Sequence, residues 1–241
     1  MKLVVQEKQN INENKGAIME ILPGIHQVDG VNANSYFVVG DEITLIDTGL
    51  PRNAKKILDY LHNTLGRNPS DIKTIVLTHH HVDHTGNLFD LKKITKAKVA
   101  VHIEDADYIS GRKSPPAPLA MSIIFMVLSL FLHSKPVEPD IILRENDEIG
   151  DFVVIHTPGH TPGSICLYNP GSKVIFVGDI LRFINGKIEG PPARFTSDLK
   201  MAVNSIGKIS NLSFDVMLSG HGQPLKFNAS DKVKEFYRSL E

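Results

Sequence analysis

Between residues 78 and 84 the chain reads Thr78-His79-His80-His81-Val82-Asp83-His84, directly after the apolar run Ile75-Val76-Leu77. Four imidazoles and a carboxylate in so short a stretch make poor core residues, because each buried ring nitrogen needs its own hydrogen-bond partner. They make good metal ligands. Neutral imidazole nitrogen and carboxylate oxygen suit divalent zinc, and iron and manganese accept the same donors. His79 and His81 are separated by one residue, so in an extended loop they point the same way while His80 points away from them. Asp83 and His84 then turn into the helix that follows and present a second set of donors. One ion does not comfortably take four donors from so few residues, and the spacing suggests a dinuclear centre.

Two ions need more donors than this run supplies. Three candidates each follow an apolar strand and sit beside glycine, where the backbone turns sharply enough to bring a side chain inward. They are His160 in His156-Thr157-Pro158-Gly159-His160-Thr161-Pro162-Gly163, Asp179 after Val174–Val177, and His221 in Ser219-Gly220-His221-Gly222. Alone, each would be an ordinary loop histidine or turn aspartate; together with the histidine run they read as ligands. His156 reads as structural, and His26, His62, His102 and His133 carry no motif.

The elements that must position these residues are short. Strands are expected at Ile25–Val28, Ser35–Val39 and Ile43–Ile46, separated by the turn residues Gly40-Asp41 and followed by Asp47-Thr48-Gly49. Ile57, Leu58, Leu61 and Leu65 fall at helical spacing within 52–65. A strand at 74–77 leads into the histidine run, a helix follows at 88–94 and a further strand at 97–102. In the second half, strands are expected at 152–155, 164–168 and 173–177, the last two joined as a hairpin across Asn169-Pro170-Gly171-Ser172. A helix at about 198–209 and a strand at 216–218 complete the pattern. Two strand-rich halves, each with helices, predict an α/β fold: a four-layer αββα sandwich. Residues 1–16 read as a polar leader, and 17–241 as one catalytic domain.

One stretch departs from the pattern. Residues 117–132 are almost wholly apolar and flanked by Pro115-Pro116, Pro118 and Pro136. As a helix they would span roughly 24 Å, short of the ~30 Å hydrocarbon core of a bilayer. The expectation is an apolar helical insertion at about 115–135 that is buried against the body of the protein, lids an acyl pocket, or joins two copies in a homodimer, without spanning a membrane.

Composition excludes several classes. The 241 residues are 41% hydrophobic, enough for a sizeable core, and the formal net charge of −1 gives no basic footprint for nucleic acid. A single cysteine, Cys166, excludes an intrachain disulfide and a thiolate-rich zinc site. Its place in a strand makes it a buried, inert thiol. The first residues contain only Leu3-Val4-Val5 as an apolar run, too short for a secretory signal, and a cytoplasmic location is expected.

Taken in order, Asp47 in Ile46-Asp47-Thr48-Gly49, the set His79, His81, Asp83 and His84, then His160, Asp179 and His221 resemble the five motifs of the metallo-β-lactamase superfamily. The resemblance runs from about 24 to 225. It implies that one metal takes His79, His81 and His160, that a second takes Asp83, His84 and His221, and that Asp179 bridges both. Asp47 is similar to the family's non-ligand aspartate, which orients the ligands from behind. The implied activity is hydrolysis of an acyl bond (thioester, ester or lactone) of a small molecule, by a hydroxide bridging two divalent ions, zinc first and iron or manganese next. The catalytic residues are then Asp83, also a ligand, and Asp47; Arg182 and Phe183, just after the bridging aspartate, are candidate substrate contacts. Thr78–Gly86 and His156–Ser164 are most similar to the glyoxalase II family, without the C-terminal segment that binds glutathione there. A mononuclear iron dioxygenase acting on persulfides, and a nuclease of the same fold, are the alternative readings.

Overall fold

A computed structural model describes residues 20–28, 30–114 and 135–240. The expected leader, 1–16, and the apolar segment 117–132 lie outside the described residues.

The first half of the chain forms a seven-stranded sheet in sequence order: β1 (Glu20–Leu22), β2 (Ile25–Val28), β3 (Ser35–Val39), β4 (Ile43–Ile46), β5 (Ile72–Val76), β6 (Lys98–His102) and β7 (Ile141–Leu143). The strands from β1 to β4 pair antiparallel, as short turns allow. Those from β4 to β7 run parallel, as crossovers through helices require. The crossovers contain α1 (Ala54–Asn63), α2 (Val82–Thr85), α3 (Leu88–Thr95) and α4 (Ile103–Ile109).

The second half builds a six-stranded sheet from β8 (Glu148–Ile149), β9 (Phe152–His156), β10 (Ile165–Asn169), β11 (Val174–Gly178), β14 (Val216–Ser219) and β15 (Leu225–Lys226). The hairpin of β10 and β11 turns across Asn169–Ser172 as the sequence predicts. A separate ribbon, β12 (Arg182–Ile184) with β13 (Lys187–Glu189), follows β11. Helices α5 (Leu199–Ser210) and α6 (Ala229–Arg238) cover this half.

Three apolar layers hold the four structural layers together, and strand periodicity distributes residues among them. Leu45, Ile75, Val99 and Val101 pack outward against Ile57 and Leu61 of α1, Leu91 of α3 and Ala106 of α4. Their neighbours Ile46, Val76 and Ala100 face the other way, onto Val154, Leu167, Val174, Phe176 and Leu218 of the second sheet. Within β11 the alternation continues, with Ile175 and Val177 joining Cys166 and Met217 beneath Ile206 and Ile209 of α5 and Val233 of α6. The αββα sandwich is therefore the observed fold. Cys166 is buried in this outer layer, and burial pushes its thiol up to about 12.

The topology decides where the site can be. Strands β4, β5 and β6 are parallel, so their C-terminal ends share one edge of the first sheet. In the second sheet β9, β11 and β14 also run parallel to one another, since β10 is antiparallel to both β9 and β11. Backbone contacts bring the two edges together: Ile165 donates to the Thr78 carbonyl at 2.9 Å and Asn34 to the Gly220 carbonyl at 2.6 Å. The Asn34 amide and the Tyr36 hydroxyl both donate to the Ser219 carbonyl, at 2.9 and 2.7 Å. Among the described residues no helix is long and apolar enough to cross a membrane.

A stacked histidine pair also spans the two halves. The rings of His102, at the end of β6, and His156, at the end of β9, lie 3.9 Å apart at 19°. His102 Nδ1 accepts the Glu104 N–H at 3.3 Å and so caps α4, a role that needs an unprotonated Nδ1. Burial, then the neighbouring His156, pushes the His102 imidazole from 6.5 down to about 4. Protons on His102 therefore favour the unfolded chain: its contribution is complete above pH 6.5 and is lost as pH falls from 6.5 toward 4. His102→Asn keeps a capping acceptor and removes the titration. Urea midpoints measured across this window should fall less steeply in the variant than in the parent, and equal slopes would show that His102 does not supply the acid sensitivity.

Candidate metal centre

Each chemistry-bearing residue of the sequence sits just past a strand end. Asp47 follows β4, His79 to His84 follow β5, His160 follows β9, Asp179 follows β11 directly and His221 follows β14. The structure brings all seven predicted ligands together in three overlapping groups: His79 with His81 and His160, His79 with His84 and Asp179, and Asp83 with His84 and His221. Within each group the candidate ligand atoms lie within 4.8 Å of one another. Asp179 stands between the groups, with Oδ1 3.4 Å from His84 Nε2 and Oδ2 3.4 Å from His221 Nε2 and 3.7 Å from His160 Nε2.

The rings are held from behind. Asp47 adopts a left-handed backbone (φ +56°), which aspartate tolerates better than most residues. Its Oδ1 accepts the Thr78 N–H at 2.8 Å, and its Oδ2 accepts the Thr78 hydroxyl at 2.7 Å and His84 Nδ1 at 2.8 Å. Because the Thr78 hydroxyl donates to Asp47, its oxygen is left to accept from His79 Nδ1, 3.0 Å away. The same logic holds at His160. Thr196 donates its hydroxyl to the Pro192 carbonyl at 2.9 Å and accepts from His160 Nδ1 at 3.3 Å. Three Nδ1 atoms are thereby engaged outward, and the Nε2 of each ring faces the cluster.

Those inward atoms make no hydrogen bond. His79 Nε2, His84 Nε2, His160 Nε2 and Asp179 Oδ1 are all buried and unpartnered, although buried polar groups are normally satisfied. Such atoms, spread over the overlapping groups, fit divalent cations, which would satisfy them.

The electrostatics agree. Burial, reinforced by neighbouring imidazoles, pushes His79 well below its ordinary value, His81 to about 3 and His160 to about 4, so these rings stay neutral, as ligands must. Burial alone would raise the Asp179 carboxyl, but the surrounding histidines, His84 foremost, hold it down to about 2. Burial opposes a charge on His84, yet Asp179 and Asp47 outweigh it and raise that ring well above its ordinary value. A field that attracts a proton to this point attracts a cation as well. For Asp83, burial is likewise outweighed, by the His221 hydrogen bond at 3.1 Å and nearby imidazoles, and the carboxyl lies below the usual range.

Two glycines are dictated by crowding at the centre. A side chain at Gly220 would place its Cβ on Asp179 Oδ1 and 2.5 Å from His84 Cε1. Gly163, near His160, is pressed against Asp105 in the same way.

Other predicted residues have different occupations. His80 points away from the cluster as expected, its ring stacked 4.1 Å from that of Tyr108 at 11°. His156 donates to or accepts nothing at the centre and engages the Pro162 carbonyl at 2.9 Å. Arg182 pairs with Glu189 across the β12–β13 ribbon at 2.9 Å, and Phe183 packs against the outer core. The backbone of Phe183 nonetheless adjoins the His221 loop, where Gln223 donates to its carbonyl at 2.8 Å. Sequence reasoning passed over Thr196 and Asp105. Thr196 lies in a loop without a motif, and Asp105 sits in the acidic run Glu104-Asp105-Ala106-Asp107, which also carries none.

The family model of the metallo-β-lactamase superfamily matches residues 28–221. The chain belongs to this superfamily. It is 30% identical over 233 residues to the probable metallo-hydrolase YflN of Bacillus subtilis, covering 87% of this chain and 88% of that one. It is also 30% identical over 213 residues to the acyl-coenzyme A thioesterase MBLAC2 of Gallus gallus, covering 80% and 73%. Among solved structures it resembles TTHA1623 in a di-iron-bound form, with a TM-score of 0.67 at 26% identity over 87% of this chain and 98% of that one. The residues matched by the family model, 28–221, include every residue of the cluster.

Gly220→Ala tests the crowding. The added methyl must displace Asp179 or His84, so the variant should remain folded by circular dichroism yet bind cobalt(II) at least tenfold more weakly than the parent. Parental affinity would show that the close approach is dispensable.

Proposed function

We infer that this superfamily member is a dinuclear metallo-hydrolase that cleaves the acyl bond of a small molecule, with a thioester as the first choice among thioester, ester and lactone. The observation that carries this reading is the convergence of bare ring nitrogens and the Asp179 carboxylate. In this reading His79, His81 and His160 would hold one ion and Asp83, His84 and His221 the other, with the Asp179 carboxylate shared between them. Zinc suits the donor set, and iron and manganese accept the same atoms. The thioester preference is supported by the likeness to MBLAC2, whose own name describes an acyl-coenzyme A thioesterase.

Two bound ions would supply a shared water acidified toward a pKa of about 7 and a polarised substrate carbonyl. The protein's own residues do the rest. Asp47 and Thr78 keep His84 and His79 in the orientation that turns Nε2 inward. Asp83, partly exposed and kept ionised beside His221, can accept a hydrogen bond from the attacking water and orient it. The water oxygen forms the new bond to the acyl carbon, the bond to sulfur or oxygen breaks, and the water's proton ends on the leaving group. No side-chain nucleophile is required, and the single thiol, Cys166, is buried away from the cluster.

The test pairs metal analysis with a panel of acyl-coenzyme A thioesters, lactones and phosphodiesters. Hydrolysis of an acyl substrate should depend on added zinc or manganese. His81→Ala should lower it by more than the ~10–100-fold typical of changes behind the ligands. Full activity in that variant, or iron with oxygen consumption and no hydrolysis, would overturn the assignment.

A further inference from the structure

Outside the ligand cluster, one buried carboxylate stands apart. Asp105 lies in the first turn of α4, immediately after β6, and is completely buried. Its Oδ2 accepts the His80 N–H at 2.9 Å and the Thr161 hydroxyl at 2.8 Å, and faces His80 Nδ1 at 3.0 Å. Its Oδ1 accepts the Gly163 N–H at 2.8 Å. The partners belong to two different loops. His80 is flanked by His79 and His81, and Thr161 and Gly163 follow His160.

The contact is too close to be incidental. A Cβ at Gly163 would meet Asp105 N at 2.5 Å and its Cγ at 2.6 Å, so only glycine lets the second loop reach the carboxylate. Tyr108, one turn along α4, stacks on the His80 ring and closes the first loop from the other side. Burial tends to raise the Asp105 carboxyl, but His80 first and then Thr161 and Gly163 more than offset it, and the group stays ionised. Hydrogen bonds to a charged acceptor are stronger than those between neutral groups. A single buried anion therefore joins, at three donors, the loops that carry all of His79, His81 and His160.

We propose that Asp105 is a positioning residue, whose carboxylate locks the His79–His81 loop against the His160 loop so that these three imidazoles meet on one ion. The proposal rests on the metal reading above. It assigns to α4 a purpose that its acidic, solvated-looking sequence conceals. It also predicts an asymmetry, because the hydrogen bonds of Asp105 go to His80, Thr161 and Gly163 and to none of Asp83, His84 and His221, while His84 is held by Asp47.

Cobalt(II) titration of the metal-free full chain, read by visible absorption and by chelator competition, tests it. The parent should bind two ions. Asp105→Asn keeps the size of the side chain but leaves one acceptor oxygen where the carboxylate offers two. It should weaken one of the two ions by tenfold to a hundredfold and alter that ion's absorption band, while the other ion keeps its parental affinity and spectrum. Thr161→Val removes one of the hydrogen bonds without changing the shape of the residue, and should weaken the same ion severalfold. This milder variant decides the matter if Asp105→Asn does not fold. Two ions bound with parental affinity and spectrum in the folded variants would overturn the proposal. So would equal weakening of both ions in step with a lower melting temperature of the metal-free protein, since that is the mark of general destabilisation. A parent that binds no cobalt at all would instead refute the metal reading on which the proposal stands.

Discussion

Imidazole nitrogens and carboxylate oxygens are buried together, with nothing from the protein bonded to several of them, and every other feature of the centre follows from that constraint. Desolvating such groups is costly unless a cation or a hydrogen bond compensates them. The fold does not relieve the cost by letting the rings rotate. It engages Nδ1 of His79, His84 and His160 from behind, through Thr78, Asp47 and Thr196, and so commits each Nε2 to the interior. The arrangement is stable only as part of a rigid surround, because each of these outer partners is itself fixed by a second bond.

That surround is the meeting of two sheets. Each contributes the C-terminal ends of parallel strands, which is where side chains can leave the sheet and face a common space. The shared apolar layer formed by Ile46, Val76, Ala100, Val154, Leu167, Phe176 and Leu218 sets the separation of the sheets. Asn34, Tyr36 and Ile165 then tie the edges at the level of the ligand-bearing loops. Within that frame the donors divide between two anchoring carboxylates. Asp47 holds His84 directly and His79 through Thr78, and Asp105 ties together the loops on which His79, His81 and His160 stand.

Much of this was legible in the sequence, and the exceptions share physical causes. The strands at 25–28, 35–39 and 43–46 are found at the expected limits, since their alternation of inward and outward residues is complete. The short pairings β1, β7, β8, β12, β13 and β15 were not anticipated; two or three residues are too few for periodicity to register. Helix α6 was missed for another reason. Only Ala229 and Val233 are fully buried along it, so its sequence is dominated by the solvated face. Helix α4 was missed because it begins directly after β6, with His102 as both the last strand residue and the cap.

The sequence by itself determined the kind of chemistry. The histidine run, the strand-end positions of His160, Asp179 and His221, and the binary pattern of two strand-rich halves depend on residue type and local spacing, and these can be read without coordinates. Only the tertiary structure decided which atoms face inward. The direction of an imidazole depends on a partner far away in the chain, as His84 depends on Asp47, His160 on Thr196 and His80 on Asp105. Such pairs have no periodicity linking them. They exist because two sheets close on each other and leave no room for a side chain at Gly163 and Gly220.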